Sequence, residues 1–378
     1  MNKCVCVCGS NGYIGNALVQ RLLKKGYFVV GIDNDKKLEW LDEMESYSAI
    51  PVNTTLEKVR LLNANGMKYV HYSIDISIET NRLRELFRRY DFDIVVNLAQ
   101  MPSAPYSHVD LEHASWTIQN NTIGTLNIIH MVRDHCPDAH VIEIESMGTY
   151  NHAINTDIPE GEFQFDYNGR KSEPCVFPKQ AGSYYHMTKI FNTYLMESAH
   201  RWWGIKSTTI NQGVVYGLWT PEIEESGINS HFAYDSTFGT VVNRFITQSL
   251  MDIPLTIYGK GDQKRGYLAL NDSIQCLMLF IENPSNGLRM VNQLADVYSI
   301  NDIANKIKGL NPNTKFKYME SPRVENTNDF YYNVNTDTLK NLGFKNTRSI
   351  DDELRYMYNV VDRNRITDIS KEKFIKWR

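Results

Sequence analysis

Tyr185 and Lys189 stand four residues apart in the stretch GSYYHMTKIF, which has the pattern of a helix start. Residues at positions i and i+4 share one face of a helix, so the phenol and the ammonium can lie side by side. A phenol with a pKa of about 10 is a poor base at neutral pH, and a neighbouring cation favours its phenolate. In a chain with 22 tyrosines, roughly one such pair is expected by chance, so the pair needs supporting context.

A glycine-rich stretch, GSNGYIG, directly follows the first apolar run and precedes an amphipathic segment. Gly9, Gly12 and Gly15 permit a tight turn and a close approach of the backbone to a ligand. The helix that begins around Tyr13 and Ile14 offers free N–H groups and a positive dipole to a pyrophosphate. The spacing G-x-x-G-x-x-G differs from the simplest dinucleotide fingerprint, and an ordinary strand-to-helix turn could carry the same glycines.

Asp33 ends the next strand, in VVGIDND, where a carboxylate can accept hydrogen bonds from both hydroxyls of an adenosine ribose. The same charge repels a 2′-phosphate, and only Lys36 and Lys37 follow as nearby cations. We therefore expect NAD as the cofactor rather than NADP, and its positive nicotinamide ring would favour a phenolate further. Asp75 and Ile76 end the third strand, in SIDI, where the acid can either reach the adenine amine or cap the strand.

Apolar runs alternate with helical patterns through the first half of the chain. The runs are CVCVC, YFVVGIDND, KYVHYSIDI, DIVVNLAQ, HVIEIES and IKSTTINQGVVYG. Runs this apolar predict parallel strands buried on both faces, so the fold class is α/β with a doubly wound, Rossmann-like parallel sheet. Shorter elements after residue 216 indicate an NAD-binding domain over residues 1–215 and a smaller, substrate-binding C-terminal region over residues 216–378, either separate from the first or interleaved with it.

Composition and charge limit the classes of partner that this chain is expected to bind. The net charge is −4 and the pI is about 6.2, with no long run of either sign. We therefore expect a small-molecule partner and neither a nucleic acid nor a membrane surface. No stretch approaches the roughly 18 apolar residues of a membrane span, and no apolar leader opens the chain, so a cytoplasmic protein is expected.

Three cysteines, Cys4, Cys6 and Cys8, alternate along one face of the first predicted strand. Neighbouring side chains on such a face stand roughly 6.5–7 Å apart, which is too far for three thiolates to meet on one zinc ion. We expect buried, reduced thiols and no metal site.

Ser146 ends the predicted strand HVIEIES and places a hydroxyl at the carboxyl edge of the sheet, where such folds bind ligands. Together with the glycine turn and the Tyr–Lys pair, it resembles the Ser–Tyr–Lys set of the extended short-chain dehydrogenases/reductases. The order is similar to that of NAD-dependent sugar-nucleotide epimerases and dehydratases, and several stretches look most like UDP-sulfoquinovose synthases. These stretches are SAPYS (103–107), NNTIGTLN (120–127), SMG (146–148), NGR (168–170), YHMTK (185–189), NQGVVYG (211–217), VNRF (242–245), LTIYGKGDQKRGYL (255–268) and SPRVEN (321–326).

The resemblance implies a UDP-linked sugar in the cleft between the two regions. Five side chains fall in segments that bind the nucleotide and diphosphate in such enzymes: Asn211, Asn243, Arg244, Arg265 and Arg323. Guanidinium forks suit a diphosphate, although any single arginine could also be a solvated surface charge. The resemblance also implies a homodimer, because the stretches NNTIGTLNIIHMVRDH and AGSYYHMTKIFNTYLMESAHRWWG correspond to helices that pair as a four-helix bundle in such enzymes.

In enzymes of this kind the tyrosine takes the C4 hydroxyl proton while the C4 hydride passes to NAD⁺, and the resulting ketone acidifies C5–H. The 4,6-dehydratases similar to this chain carry Asp-Glu after the active-site serine or threonine. Here those positions hold Met147 and Gly148, so an ordinary 4,6-dehydratase is disfavoured. UDP-sulfoquinovose synthases share the Met-Gly and a histidine after the tyrosine, here His186, which could take the C5 proton or could be a plain core or surface histidine.

Two departures from those synthases bear on the product. They usually carry Gln-Arg before SAPYS, where this chain has Met101 and Pro102, and Glu where this chain has Thr149. Loss of that cation weakens the case for sulfite as a reactant. Three readings stay open: a sulfoquinovose-synthase-like enzyme that makes a 4-keto-5,6-ene, with or without addition at C6; a sugar-nucleotide 4-epimerase; and a catalytically silent NAD-binding regulator.

Overall fold

The apolar runs form strands and the amphipathic segments form helices in the computed structural model, which describes residues 3–64, 66–150, 156–321 and 333–366. The strands are β1 (Cys4–Cys8), β2 (Phe28–Ile32), β3 (Tyr69–Tyr72), β4 (Ile94–Asn97), β5 (His140–Ser146), β6 (Glu162–Phe163), β7 (Asp166–Tyr167), β8 (Arg170–Lys171), β9 (Cys175–Val176), β10 (Lys206–Gln212), β11 (Val214–Tyr216), β12 (Leu255–Tyr258), β13 (Lys264–Ala269), β14 (Leu288–Gln293), β15 (Asp296–Ser299) and β16 (Phe316–Met319). The helices are α1 (Tyr13–Lys24), α2 (Lys36–Glu43), α3 (Thr55–Ala64), α4 (Thr80–Arg89), α5 (Leu111–Ile118), α6 (Gly124–His135), α7 (Tyr184–Trp203), α8 (Pro221–Ser226), α9 (Val241–Leu250), α10 (Leu270–Glu282), α11 (Ile300–Leu310), α12 (Asp337–Asn341) and α13 (Ile350–Val360).

Seven parallel strands form the central sheet in the order β14-β10-β5-β4-β1-β2-β3. The chain starts in the middle at β1, runs outward to β3, returns to β4 and continues to the other edge. This reversal creates a crevice at the carboxyl ends of β1 and β4, where open α/β sheets bind their ligands. The predicted fold class, a doubly wound Rossmann-like parallel sheet, is confirmed.

The two faces of the sheet bury different side chains of β1, because successive side chains of a strand point to opposite faces. Val5 and Val7 join a core with α1 and α10, and Cys6 and Cys8 join a core with α4, α6 and α7. The thiols of Cys6 and Cys8 are fully buried, and their sulfur atoms lie 3.9 Å apart. The spacing of 6.5–7 Å expected from strand geometry was therefore wrong for these sulfur atoms, because the side chains lean toward each other along the strand. No group of three potential metal-ligating side chains occurs among the described residues.

The second half of the chain contributes both to the central sheet and to a second core. β14 pairs with β10 at the sheet edge, whereas β11, β13 and β15 form a small sheet of their own. The second core lies between α9, α11, α13 and β12, and it buries side chains such as Phe245, Ile303 and Leu354. The division at residue 215 stays a prediction.

Two short antiparallel ladders, β6 with β9 and β7 with β8, lie in the segment between β5 and α7. Of the helices in the described ranges, none is both long enough and apolar enough to cross a membrane.

Candidate active site

The glycine turn between β1 and α1 is shaped by contacts that exclude side chains. Gly9 has a φ of +79°, and a Cβ there would lie 2.6 Å from the backbone of Leu98. A Cβ on Gly15 would lie 2.9 Å from the carbonyl carbon of Gly9 and closer still to its oxygen. Gly12 is the N-cap of α1 and supplies no side-chain cap, so the first N–H groups of the helix keep their capacity for an anion.

Asp33 lies beside this turn at the end of β2. Its carboxylate accepts hydrogen bonds from the backbone N–H groups of Asn11 and Asp35, both at 2.9 Å. Burial raises the pKa of Asp33, and the two backbone donors act against that rise. The carboxylate is thus held in place while its remaining acceptor capacity can serve ribose hydroxyls.

A cavity of about 300 Å³ joins the turn to Asp33 and to Asp75 and Ile76 beyond β3. Asp75 accepts from the Nδ2 of Asn34 at 2.9 Å and from the backbone N–H of Ser77 at 2.8 Å. The lining further includes Tyr13, Trp40, Thr55, Lys58, Leu98, Gln100 and Asn120. A glycine cradle at a helix N-terminus, followed by a ribose-facing acid, fits the pyrophosphate and adenosine of a dinucleotide.

A second cavity, of about 360 Å³, brings together five residues that the sequence singled out. Its lining includes Ser146, Tyr185, His186, Arg244 and Arg265. The rest of the described lining comes mainly from Pro102, Ser103, Met147, Gly148, Tyr150, Gln212, Val214, Phe238, Thr240, Tyr258, Gln263 and Tyr267. Residues that lie more than 150 positions apart in the sequence therefore line the same cavity.

Ser146 and Tyr185 face this cavity from β5 and from the first turn of α7. The Ser146 Oγ accepts a hydrogen bond from the Gly148 N–H at 3.0 Å, which leaves its own proton for another acceptor. Burial raises the pKa of the Tyr185 phenol, and repulsion from Glu145 adds to the rise. In the folded chain these two effects oppose the phenolate that the neighbouring cation was expected to favour.

Lys189 lies one turn after Tyr185 on α7 and lines neither cavity. Its ammonium is 5.7 Å from the centre of the Tyr185 ring. It donates to the Oε1 of Gln100 and, at 2.5 Å, to the carbonyl oxygen of Ile144. Burial lowers the pKa of Lys189, and the carboxylates of Glu145 and Glu143 act in the opposite direction.

His186 packs against Gly148 across the wall of the second cavity. A Cβ at residue 148 would lie 2.8 Å from the Cδ2 of His186 and closer still to its Nε2. The Nδ1 atom of the same ring lies 2.9 Å from the Oγ of Ser183, the N-cap residue of α7. The absence of a side chain at residue 148 is therefore what admits the imidazole to the site, a link that the sequence did not reveal.

The five predicted nucleotide-binding residues have different surroundings. Arg244 is buried, with its guanidinium 4.7 Å from the centre of the Tyr258 ring, and Arg265 lines the same cavity. Asn211 bonds to Asn292 and Lys179, and Asn243 bonds to the Ala233 carbonyl. Neither asparagine is among the described lining residues of the cavities. Arg323 lies outside the described residues.

The departures near SAPYS and after Ser146 also have distinct environments. Met101 is fully buried in a cluster with Trp40 and Tyr106 and is not among the residues that line the second cavity. Pro102 lines that cavity. Thr149 is fully buried and donates its hydroxyl proton to the Ser146 carbonyl oxygen at 2.8 Å. Of these three positions, only the one at residue 102 faces the described cavity.

The parallel sheet, the glycine turn and the serine, tyrosine and lysine side chains around one crevice define an extended short-chain dehydrogenase/reductase fold. Within that class the chain belongs to the NAD dependent epimerase/dehydratase family, whose sequence pattern matches residues 5–293. NAD is accordingly the cofactor, and the chain is an NAD-dependent enzyme of the epimerase/dehydratase type, which excludes the reading as a silent regulator.

Two relatives cover most of the chain. It is 36% identical over 360 residues to the UDP-sulfoquinovose synthase of Sulfolobus acidocaldarius, covering 93% of this chain and 91% of the relative. It is 35% identical over 350 residues to the chloroplastic UDP-sulfoquinovose synthase of Spinacia oleracea, covering 91% and 72%. The fold is similar to that of a UDP-glucuronic acid 4-epimerase from Bacillus cereus, with a TM-score of 0.71, 20% identity, and coverage of 96% of this chain and 99% of the other.

Proposed function

We propose that this enzyme modifies a UDP-linked hexose through a transient 4-keto intermediate, in the manner of a UDP-sulfoquinovose synthase. The proposed course is oxidation at C4 with the hydride passing to NAD⁺, loss of the C5 proton and the 6-hydroxyl as water, addition at C6 where a nucleophile is supplied, and return of the hydride to the sugar, which regenerates NAD⁺. One observation carries the proposal: Ser146, Tyr185 and His186 line the same cavity, and Gly148 leaves room for the imidazole. The two synthase relatives support the same reading.

For the first step, the chain offers a donor and a base at the sugar. The Ser146 hydroxyl, whose oxygen is already held by the Gly148 N–H, donates to the C4 oxygen. Tyr185 accepts the C4 hydroxyl proton, and the Lys189 ammonium stabilises the phenolate electrostatically. NAD⁺, when bound in the first cavity, supplies the acceptor for the C4 hydride.

For the second step, His186 is the proposed base. A C4 ketone acidifies the C5 proton, and a neutral imidazole can take that proton near neutral pH. The position of the Nδ1 atom beside the Ser183 hydroxyl fixes the ring plane, and the edge with Nε2 meets the Gly148 backbone at the cavity wall. The chain thus has a base for the C5 proton even though it lacks the Asp-Glu pair of the dehydratases. As the C5–C6 double bond forms and the C6–O bond breaks, the imidazolium returns this proton to the leaving 6-hydroxyl, which departs as water.

The diphosphate is assigned to Arg244 and Arg265, which line the cavity together with Tyr258 and Gln263. A buried guanidinium is costly unless an anion or acceptors compensate it, and a diphosphate can accept two parallel hydrogen bonds. Asn211, Asn243 and Arg323 remain proposed nucleotide-binding residues on the basis of the resemblance alone.

Addition at C6 has weaker support than elimination. The position that carries a cation in the synthases is Pro102, which lines the cavity without charge. A 4-epimerase is the second candidate, because it requires only Ser146, Tyr185 and Lys189 and a cavity in which the 4-keto sugar can turn.

Incubation of the purified enzyme with UDP-glucose, with and without sulfite, followed by mass spectrometry of the sugar nucleotide, separates these candidates. We expect loss of one water without sulfite, and a mass gain with sulfite if addition occurs. An unchanged mass with inverted C4 would establish the epimerase instead. His186→Gln should abolish the water loss while leaving reduction of bound NAD⁺ on substrate addition, and retention of the water loss in that variant would remove His186 from its proposed role.

We also propose a homodimer. The π-helical turn before α6 and the outer face of α7 expose large apolar side chains, among them Ile123, Met187, Phe191 and Tyr194. Phe191 is 55% exposed and Met187 50% exposed, and two-fold pairing of helices would bury such a face. Sedimentation at micromolar concentration should show a dimer, and Phe191→Glu should shift it to monomer; a monomeric parent would contradict this proposal. A cytoplasmic location stays a proposal, and composition and charge support the proposal that neither nucleic acid nor a membrane is a partner.

A further inference from the structure

Glu143 lies in β5, fully buried, on the side of the sheet that carries α6 and α7. Four donors converge on its carboxylate. They are the Nδ2 of Asn97 at 2.8 Å, the Nε2 of Gln100 at 2.5 Å, the Oγ1 of Thr125 at 3.3 Å and the Nδ2 of Asn192 at 3.4 Å. Burial raises the pKa of Glu143 to about 7, and its ionised form only accepts hydrogen bonds, so the NH₂ group of Gln100 faces the carboxylate.

This orientation turns the other end of the amide toward α7. With its NH₂ group on Glu143, Gln100 presents its carbonyl oxygen to the Lys189 ammonium, which donates to it. The Ile144 carbonyl takes a second N–H of the ammonium at 2.5 Å. Since an ammonium has three donors, one N–H of Lys189 remains for a further acceptor such as the Tyr185 phenol, whose ring centre lies 5.7 Å away.

We propose that Gln100 is a positioning residue for the oxidation step: with its amide group held by Glu143, it fixes the Lys189 ammonium beside Tyr185. The inference rests on the proposed function only for the role of the Tyr–Lys pair. The contacts themselves join the segment after β4 to β5 and α7, and none of Gln100, Glu143 and Lys189 lines the second cavity.

The charged groups facing Lys189 come from three elements. Tyr185 lies on its own helix, Glu143 and Glu145 lie on β5, and Lys179, in the segment before α7, faces Glu145. Both carboxylate oxygens of Glu145 are buried without a hydrogen-bond partner in the described part of the chain. Glu145 therefore acts on the ammonium through its field, whereas Gln100 and the Ile144 carbonyl hold it by direct bonds.

Gln100→Leu removes the acceptor while keeping a side chain of similar size. Loss of a hydrogen bond to an ammonium makes its proton easier to lose, so the alkaline limb of the pH profile for substrate-driven reduction of bound NAD⁺ should move to lower pH. A weaker cation also stabilises the phenolate less, so the acidic limb should move to higher pH. At neutral pH we expect a rate loss of roughly 10- to 100-fold, the size of a hydrogen bond to a charged group.

The matched control is Gln20→Leu. Gln20 is another buried glutamine, in α1, that bonds to the Ile228 carbonyl and the Ser226 hydroxyl. Its replacement can lower stability but should leave both limbs of the profile where they are. If the rate of Gln100→Leu is lower at every pH while both limbs of its pH profile keep their positions, the proposal is overturned.

A second measurement needs no substrate. Trace acylation at a series of pH values, with mass spectrometry of the peptide that contains Lys189, gives the midpoint of lysine deprotonation in the parent and in Gln100→Leu. A midpoint at lower pH in the variant supports the positioning role even if no UDP-hexose is turned over, which would contradict only the proposed function. An unchanged midpoint overturns the positioning role whatever the reaction proves to be.

Discussion

The cavity at Asp33, called the cofactor cavity, and the cavity at Ser146, called the sugar cavity, are built in different ways. The first is centred on the glycine turn after β1, the end of β2 and the segment after β3, and side chains such as Trp40 and Asn120 complete its wall. The second takes its shape from side chains that come from segments between Pro102 and Ser321. Chemistry common to a whole family is thus carried by consecutive strand ends, whereas the choice of reaction depends on contacts between distant segments.

The charges of the two cavities differ as well. The cofactor cavity carries the carboxylates of Asp33, Asp35 and Asp75, which suit ribose hydroxyls and the adenine amine, together with the ammonium groups of Lys37 and Lys58. The sugar cavity carries the guanidinium groups of Arg244 and Arg265, which suit a diphosphate. Substitutions in one cavity should therefore leave binding in the other nearly intact, and the following variants test that separation.

Tyr185→Phe should have the largest effect. It removes only the hydroxyl and keeps the ring packing, so kcat should fall by about 10²–10⁴, with nearly normal affinity for the sugar nucleotide. Lys189→Ala should give a mixed defect that includes NAD binding. Stopped-flow absorbance of NADH formation on substrate addition measures the step, and near parental reduction in Tyr185→Phe would place the oxidation elsewhere.

Gly148→Ala tests whether the contact between residue 148 and His186 is needed for the elimination step but not for oxidation at C4. The added Cβ would overlap His186, and a displaced catalytic group can cost about 10²-fold in rate. We expect that loss in the water-elimination step, with C4 oxidation retained, by mass spectrometry and NADH absorbance on the same samples. Gly309→Ala is the control, because a Cβ there meets nothing within 4 Å. Equal loss of both steps would show that residue 148 supports Ser146 rather than His186.

Asp33→Ala tests the cofactor cavity by itself. Loss of the ribose hydrogen bonds should weaken NAD binding by about 1–3 kcal/mol, measured by titration calorimetry, with affinity for the UDP moiety unchanged. Asp138→Ala, which alters a side chain that is 98% exposed, should leave both affinities as they are. Preferential binding of NADP by the parent protein would contradict the assigned role of Asp33.

Glu145→Gln should have the smallest effect. It tests the stability of the folded protein rather than binding in either cavity. Burial raises the folded-state pKa of Glu145 well above 4.5, so the folded parent loses stability as pH rises from the unfolded-state pKa toward the folded-state value. A glutamine carries no such cost, although Lys179 and Lys189 lose a compensating charge. We expect a gain on the order of 1 kcal/mol in the free energy of unfolding at pH 8 that shrinks at pH 5, from urea melts. Glu143→Gln should lose stability instead, since it places a new donor among four donors. A gain in stability for both variants would contradict the different environments assigned to Glu143 and Glu145.

The local pattern of the sequence was sufficient for the cofactor half. Apolar runs separated by helical patterns predicted the parallel sheet, and the glycine spacing from Gly9 to Gly15 predicted the turn whose contacts exclude side chains at these two positions. Such features are set by residues within a few positions of each other, and their physical causes are steric and short-range. The same local reasoning overestimated the distance between the sulfur atoms of Cys6 and Cys8, because side-chain lean is not part of strand spacing.

Tertiary structure decided what surrounds the predicted Ser–Tyr–Lys set. Strand alternation puts Glu143 and Glu145 on one face, but only the packing of β4, the segment after it, α6 and α7 gives one of them four donors and the other none among the described residues. Likewise, the contact between Gly148 and His186 spans 38 residues, and that between Gln100 and Lys189 spans 89. No local period encodes these pairings. They arise when separate elements are pressed together in a dense core, where a single Cβ or amide group decides which neighbour fits.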